Sequence, residues 1–229
     1  LAASCGSDDD SSDGDIVTTD AATDDTTSDG DTEATTPTAT EVDTTTAEDT
    51  EAPVFGGSLI MGLEAEANGF RPWEDGCGEP CVNIARTIFD PLFDQNADGE
   101  YEGMLAESIE ANDAFTEWTM TLRPGVTFHN GEPLTAQTIV DMFAIQQTGA
   151  ISSGQIATYT LANVEAVDEM TVLYTLGAPN SAFPAALSTV SLGYVFEPGA
   201  ATADPEGFST NPVGTGPFTM QSRDIDNAT

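Results

Sequence analysis

Between Thr116 and Ala136 the side-chain chemistry changes period twice, and this restricts the fold more than any other feature of the chain. Trp118, Met120 and Leu122 alternate with Thr119, Thr121 and Arg123, the period-two pattern of a strand with one buried face. Pro124-Gly125 ends that strand, because Pro lacks the ladder N–H and Gly permits a turn. Val126–His129 is a second, short extended run, and Asn130-Gly131 tolerates the positive φ of a tight turn. Thr135 then stands where a helix cap is needed, ahead of Ile139, Val140, Phe143 and Ala144 at helical spacing. The stretch reads strand, turn, short strand, turn, helix.

Applied to the flanks, the same rules predict a mixed α/β domain from residue 56 onward. Ser58–Leu63 is a compact apolar strand, and a loop leaves it through Glu64–Asp75. Pro80 opens a helix carrying Val82, Ile84, Ala85, Ile88 and Phe89. Pro91–Phe93 forms a short strand before the turn Asp94–Glu100. Gly149–Gly154 is read as a loop, and Ile156–Leu161 is assigned no element. Val164–Val167 and Thr171–Leu176 are strands around Asp168-Glu169. A short helix runs to Leu187 with Ser181 as its cap. Gly193–Phe196 is a strand, a Pro- and Gly-rich loop follows, and Gly214–Phe218 returns to the sheet.

Charge excludes one class of function. The chain carries 40 acidic residues against four arginines and no lysine, a formal net charge of −36. Nucleic acid is not expected as a partner, since phosphate binding needs clustered Lys or Arg. The surplus would suit a protein bathed in salt, where screening relieves self-repulsion. That hypothesis fails if stability does not rise when the protein is refolded at increasing NaCl. Residues 1–52 hold 16 of the acidic groups, no basic one and few large apolar side chains, so residues 6–55 are expected to be a disordered tether. A flexible chain of that length spans on the order of 40 Å.

Cys5 lies in LAASC, where small residues precede a Cys as at a lipoprotein cleavage site. Residues 1–5 are read as a signal remnant and Cys5 as the acylation site. Cys77 and Cys81, in CGEPC, are the remaining pair. In an exported protein they read as a small disulfide loop. Zinc is the rival reading, but it wants four ligands and the chain offers one His and no second Cys pair. Asp94, Asn96, Asp98 and Gly99 match the first half of a calcium loop. The second half fails, since Leu105 stands where a bidentate Glu is required, and a hairpin turn is preferred. No metal and no cofactor is expected.

Five blocks in order resemble the family 5 extracellular solute-binding proteins, the peptide- and nickel-binding group serving ABC importers. They are NIARTIFDPLF at residues 83–93, the run MLAESIEANDAFTEWTMTLR, LRPGV-x-FHNG-x-PLTA, VEAVDEMTVLYTLGAPNSAFPAAL at 164–187 and NPVGTGPFTM at 211–220. The resemblance implies a two-lobed, periplasmic-binding-protein-like fold, with residues 56–229 forming most of the first lobe and the chain an N-terminal piece of a longer protein. It implies an extracytoplasmic receptor, lipid-anchored through Cys5, that captures a solute, an oligopeptide above all, and passes it to a membrane permease. It places the ligand cleft at the loop after the first strand. Glu66 matches an acidic position there, with Glu64 and Asn68 as neighbouring candidates, and Phe70 and Trp73 offer an apolar wall or simple packing under the loop.

Two other classes of function compete. One is an acidic, calcium-binding surface or adhesive protein using the Asp94 turn. The other is a hydrolase, which would have to use His129, the only His of the chain. His129 falls in the structural block FHNG, and GTGP at residues 214–217 lacks the Lys-Ser/Thr of a phosphate loop. No enzyme activity is expected.

Overall fold

The computed structural model describes residues 56–224, and from Ser58 onward they belong to one compact unit. Cys5, the tether 6–55 and the end of the chain lie outside the described residues.

Four antiparallel strands form the main sheet in the order β3-β4-β6-β5: β3 (Ala106–Ala111), β4 (Glu117–Leu122), β6 (Thr171–Leu176) and β5 (Leu161–Ala166). The alternation in β4 decides which face is inside. Trp118, Met120 and Leu122 are buried, and across the ladder Trp118 lies opposite Tyr174 and Met120 opposite Val172. Burying the Tyr174 phenol pushes its pKa well above the ordinary value. β6 follows the same rule, with Val172, Tyr174 and Leu176 buried. A separate hairpin pairs β1 (Phe93–Gln95) with β2 (Tyr101–Gly103).

Helix α2 (Ala136–Gln146) covers the inner face, packing on β5 and β6. Thr135 caps it: its hydroxyl accepts from Thr138 N, while the Thr135 N–H donates to Thr138 Oγ at 3.2 Å. The buried side chains are Ala136, Thr138, Ile139, Met142, Phe143 and Gln146, so the inner stripe is centred on Met142 and leaves Ala144 exposed. Helix α1 (Glu79–Ile88) starts with Pro80 in its first turn and buries Cys81, Ala85 and Ile88.

The segment after Pro212 completes α1. Gly216 N donates to Ile88 O at 2.8 Å and Phe218 N to Thr87 O at 3.0 Å, satisfying carbonyls that a helix end otherwise leaves open. Both glycines of GTG are required by this approach. A Cβ on Gly214 would meet Ile88 O at 2.2 Å, and one on Gly216 would meet Ile88 C at 2.6 Å. His129 locks the same place. Gly214 N donates to His129 Nδ1 at 3.3 Å, which assigns the ring proton to Nε2, and Nε2 donates to Gly216 O at 2.8 Å.

Several expectations need correction. Ser58–Leu63 forms no strand: among the described residues no other strand pairs with it, and Leu59, Ile60 and Met61 are exposed. An apolar run specifies strand character but not a partner. Strand β1 begins at Phe93, and Pro91 only bridges Tyr194. Residues 152–158 are helix α3 rather than part of a loop, because Gly149 and Ser152 fold the chain back onto the Trp73 carbonyl. Ser181 does not cap. The turn Phe183–Ser188 is a 3₁₀-helix, and Asn180 Oδ1 accepts from Ala182 N at 3.0 Å. Gly193 ends helix α4 (Val190–Gly193), and Tyr194 and Phe196 make isolated bridges with Pro91 and Gly214. The Pro- and Gly-rich stretch holds helix α5 (Pro198–Ala203), capped by Glu197, and a 3₁₀ turn at Gly207–Ser209.

Candidate functional site

The loop from Glu64 to Asp75 is shaped by one tight turn. Glu74 N and Asp75 N both donate to Arg71 O, at 3.1 and 2.9 Å. Asp75 returns the favour: its carboxylate accepts from Arg71 N at 2.9 Å and from Arg71 Nη2 at 2.8 Å. Arg71 Nη1 reaches on to Glu206 at 3.2 Å, and Ser209 Oγ donates to Asp75 at 3.3 Å, so the loop is fastened to the turn 207–209. Gly69 is required here because a Cβ would fall 2.1 Å from Asp75 Oδ2 and 2.3 Å from Ser209 Oγ. Burial pushes the Asp75 carboxyl up, but the hydrogen bonds and charge of Arg71 together with the Ser209 hydroxyl outweigh it and hold the group below its ordinary value. The same hydrogen bond is the largest cause raising the Arg71 guanidinium.

Trp73 points into the core. It is 6% exposed and packs, with its ring tilted, against Phe196 and Phe208, ring centroids 4.5 and 5.3 Å away. Its carbonyl accepts from Ile151 N, Ser152 N and Ser152 Oγ, which starts α3. It also borders a second groove of about 850 Å³ between α2 and α5.

The loop forms one wall of an open groove of about 610 Å³. Glu64, Glu66, Ala67 and Phe70 stand on that wall, and Met220 and Arg223 come from a segment remote in sequence. Glu64 and Glu66 are exposed, while Phe70 is 4% exposed and forms part of the floor. Three of the five residues expected at a ligand cleft thus share one groove. Asn68 is exposed and outside the lining, and Trp73 belongs to the core. Sequence reasoning missed Arg223. It donates to Ala67 O and, at 3.4 Å, to Ser209 O, and its guanidinium carbon lies 5.2 Å from the centre of the Phe70 ring. Nothing in its sequence neighbourhood signals this.

The other candidates have structural work. Cys77 and Cys81 form a disulfide, Cα atoms 5.1 Å apart, that ties the loop to the first turn of α1. Asp94 pairs with Arg86 at 3.1 Å, and Arg86 Nε donates to Tyr194 Oη at 3.0 Å. Tyr194 pulls on Arg86 most strongly of the groups that raise it, and burial raises the Tyr194 phenol. Asn96 Oδ1 accepts from Asp98 N and Glu100 N, so the Asp94 turn spends its oxygens on closing the β1–β2 hairpin. His129 lies against backbone on both ring nitrogens and, among the described residues, has no nucleophilic side chain as a hydrogen-bond partner.

The model of the bacterial extracellular solute-binding proteins, family 5 Middle, matches residues 100–229. The chain belongs to this family. Protein XP55 of Streptomyces lividans is 31% identical over 170 residues, covering 71% of this chain and 29% of its own length. The glutathione-binding protein GsiB of Pectobacterium atrosepticum is 29% identical over 140 residues, 59% of this chain and 26% of that protein. Among solved structures, the oligopeptide-binding protein AppA of Bacillus subtilis, in complex with a nonapeptide, superposes with a TM-score of 0.66 at 23% identity, covering 76% of this chain and 36% of AppA. MoaA from A. tumefacien R10, in complex with mannopinic acid, gives 0.61 at 29% identity, covering 68% of this chain and 32% of MoaA. The fold is therefore mixed α/β of the periplasmic-binding-protein type. The chain spans between a quarter and about a third of the length of these relatives.

Proposed function

We propose that the chain is the solute-capturing part of an extracytoplasmic receptor for an ABC importer, and that its solute is an oligopeptide. The observation that carries this reading is the groove: Glu64, Glu66 and Phe70 share one wall, in a chain of the solute-binding family 5. A carboxylate at the rim meets a cationic group of the solute, and Phe70 offers an apolar contact below. Residues 56–229 act as one lobe, residues 6–55 as the tether, and acylated Cys5 as the anchor on the outer face of the membrane. The permease takes the solute from the closed form of the receptor. The reading is one of binding: the family is one of solute-binding proteins, and both ring nitrogens of His129 are engaged by backbone groups of Gly214 and Gly216.

Calorimetric titration with short peptides tests the reading. A tetrapeptide with a free amino terminus is expected to bind, and Glu66→Gln to weaken it about tenfold, the worth of one charge-assisted hydrogen bond. If di- to nonapeptides give no heat and no rise in Tm, the peptide assignment is wrong. If they bind and Glu66→Gln leaves the affinity unchanged, Glu66 has no part in it.

A further inference from the structure

The four arginines of the chain are held in two different ways. Arg71 and Arg86 are paired with carboxylates, Asp75 and Asp94. Arg123 donates from Nε to Met104 O at 2.9 Å. Arg223 lies in the groove, which Asp224 also lines, and its hydrogen-bond acceptors there are the carbonyls of Ala67 and Ser209, with its guanidinium carbon 5.2 Å from the centre of the Phe70 ring. Glu64 and Glu66 line the same groove but are not among its hydrogen-bond partners. Two carbonyl acceptors beside an aromatic face are what a planar guanidinium fits, with donors in its plane and attraction to the ring quadrupole across it. The carbonyls are fixed independently, Ser209 by the Asp75 network and Ala67 by the loop fastened to that network.

The backbone that carries Arg223 belongs to no helix or strand, and Met220 packs it against the core. Phe218 N, bonded to Thr87 O, is the last backbone donor before it, and among the described residues the N–H groups of 219–223 have no carbonyl partner. Displacing the Arg223 side chain unravels no helix or strand. We propose that Ala67 O, Ser209 O and the Phe70 face form a receptor for a guanidinium or ammonium group, and that Arg223 fills it as an internal stand-in until a cationic solute takes its place. This names a solute class for the proposed site and rests on that reading of the groove. Glu64 and Glu66 at the rim, within the field of a chain of charge −36, raise the local concentration of such a solute. Arg223 sets a threshold: a neutral solute cannot replace what it gives up, so the groove opens for cations.

The test uses the full chain and two isosteric probes, arginine amide and citrulline amide, which differ by a guanidinium against a neutral urea. Arg223→Gln vacates the receptor, and arginine amide should then bind about tenfold tighter than to the wild type, as expected when an internal competitor is removed. Citrulline amide should gain nothing. Arg223→Lys, which refills the receptor with an ammonium, should stay near the wild type, and adding Phe70→Leu to Arg223→Gln should cancel the gain. Arg123→Gln makes the same change in net charge away from the groove and serves as the control. Equal affinity of Arg223→Gln and Arg123→Gln for arginine amide overturns the proposal, as does an equal gain for citrulline amide.

A second measurement needs no variant that vacates the site. In the wild type the Arg223 Nε–H resonance carries the ring-current shift of Phe70, and saturating arginine amide should move it to its solvent position. No movement at saturation overturns the proposal. Exchange seen here without any peptide binding would leave the cation receptor standing and remove the oligopeptide reading. Peptide binding without exchange would do the reverse.

Discussion

His129 joins two blocks of the chain that are distant in sequence, and the strength of that joint follows from its two hydrogen bonds. Nδ1 accepts from Gly214 N and Nε2 donates to Gly216 O, while both glycines are buried against the end of α1. His129→Leu keeps most of the volume and removes both partners. Each buried backbone group left without a partner costs about 1–3 kcal/mol, so the loss is expected near 3 kcal/mol and the fall in Tm near 6–12 °C for a domain of this size. Two further variants separate the bonds. The amide oxygen of His129→Asn sits close to where Nδ1 was and can still accept from Gly214. The amide nitrogen of His129→Gln reaches toward the place of Nε2 and can still donate to Gly216. Each is expected to lose about half as much as Leu. Urea unfolding, followed by far-UV circular dichroism, gives the three values from shifts in midpoint at constant slope. If Leu is no worse than Asn and Gln, or costs less than about 1 kcal/mol, the two bonds do not hold the joint. A hydrolase reading predicts a different result, with all three variants equally inactive and equally stable.

Two more outcomes follow from the loop. The folded state holds the Asp75 carboxyl below its ordinary value of 3.8, so its contribution is present above that value and fades as pH falls through the lowered one. The stability gap between wild type and Asp75→Asn, about 1–3 kcal/mol near neutral pH, should therefore shrink below pH 3.8; a gap that widens in acid would contradict the assigned sign. Breaking the Cys77–Cys81 disulfide by Cys77→Ser with Cys81→Ser releases a very short loop, for which chain entropy gives roughly 2 kcal/mol. Denaturant midpoints of the oxidised wild type and the double variant measure it, and equal midpoints would show that α1 does not depend on the clip.

The elements legible in the sequence are those whose instructions are local. The alternation of Trp118, Met120 and Leu122, the Pro124-Gly125 break and the Thr135 cap each act within a few residues, and each appears where the side chains dictate. Gly125 and Gly131 take φ of 79° and 89°, the conformation that made them readable as turns. Elements that depend on a distant neighbour were not legible. Helix α3 has no apolar stripe to announce it; it forms because the Trp73 carbonyl gathers the donors of Ile151 and Ser152 from far along the chain. The run Ser58–Leu63 is the converse case, with strand chemistry and, among the described residues, no strand beside it. α2 was found in place but turned: Met142 rather than Ala144 lies at the centre of its inner face, because spacing alone does not fix the phase of a helix rich in small apolar residues.

The candidate groove divides along the same line. Its acidic wall was pointed to only by the family resemblance, which singled out Glu66 with Glu64 and Asn68 beside it; of these Glu64 and Glu66 line the groove. Its aromatic residues were ambiguous in composition, since a Trp and a Phe in a loop suit a ligand and a core equally well; packing decides, giving Trp73 to Phe196 and Phe208 and leaving Phe70 at the floor of the groove. Its cation was invisible, because Arg223 is brought to Ala67 only by the return of the chain along the end of α1. That return depends on Gly214, Gly216 and His129, none of which touches the groove. The proposed internal occupant of the receptor and the residues that place it thus lie in different blocks of the sequence, and substitutions at His129 should disturb the groove only by loosening the segment that carries Arg223. In His129→Leu, held folded below its midpoint, arginine amide should therefore bind more tightly than to the wild type, in the same direction as Arg223→Gln and by less. A weaker affinity would mean that the joint shapes the receptor itself rather than its internal occupant.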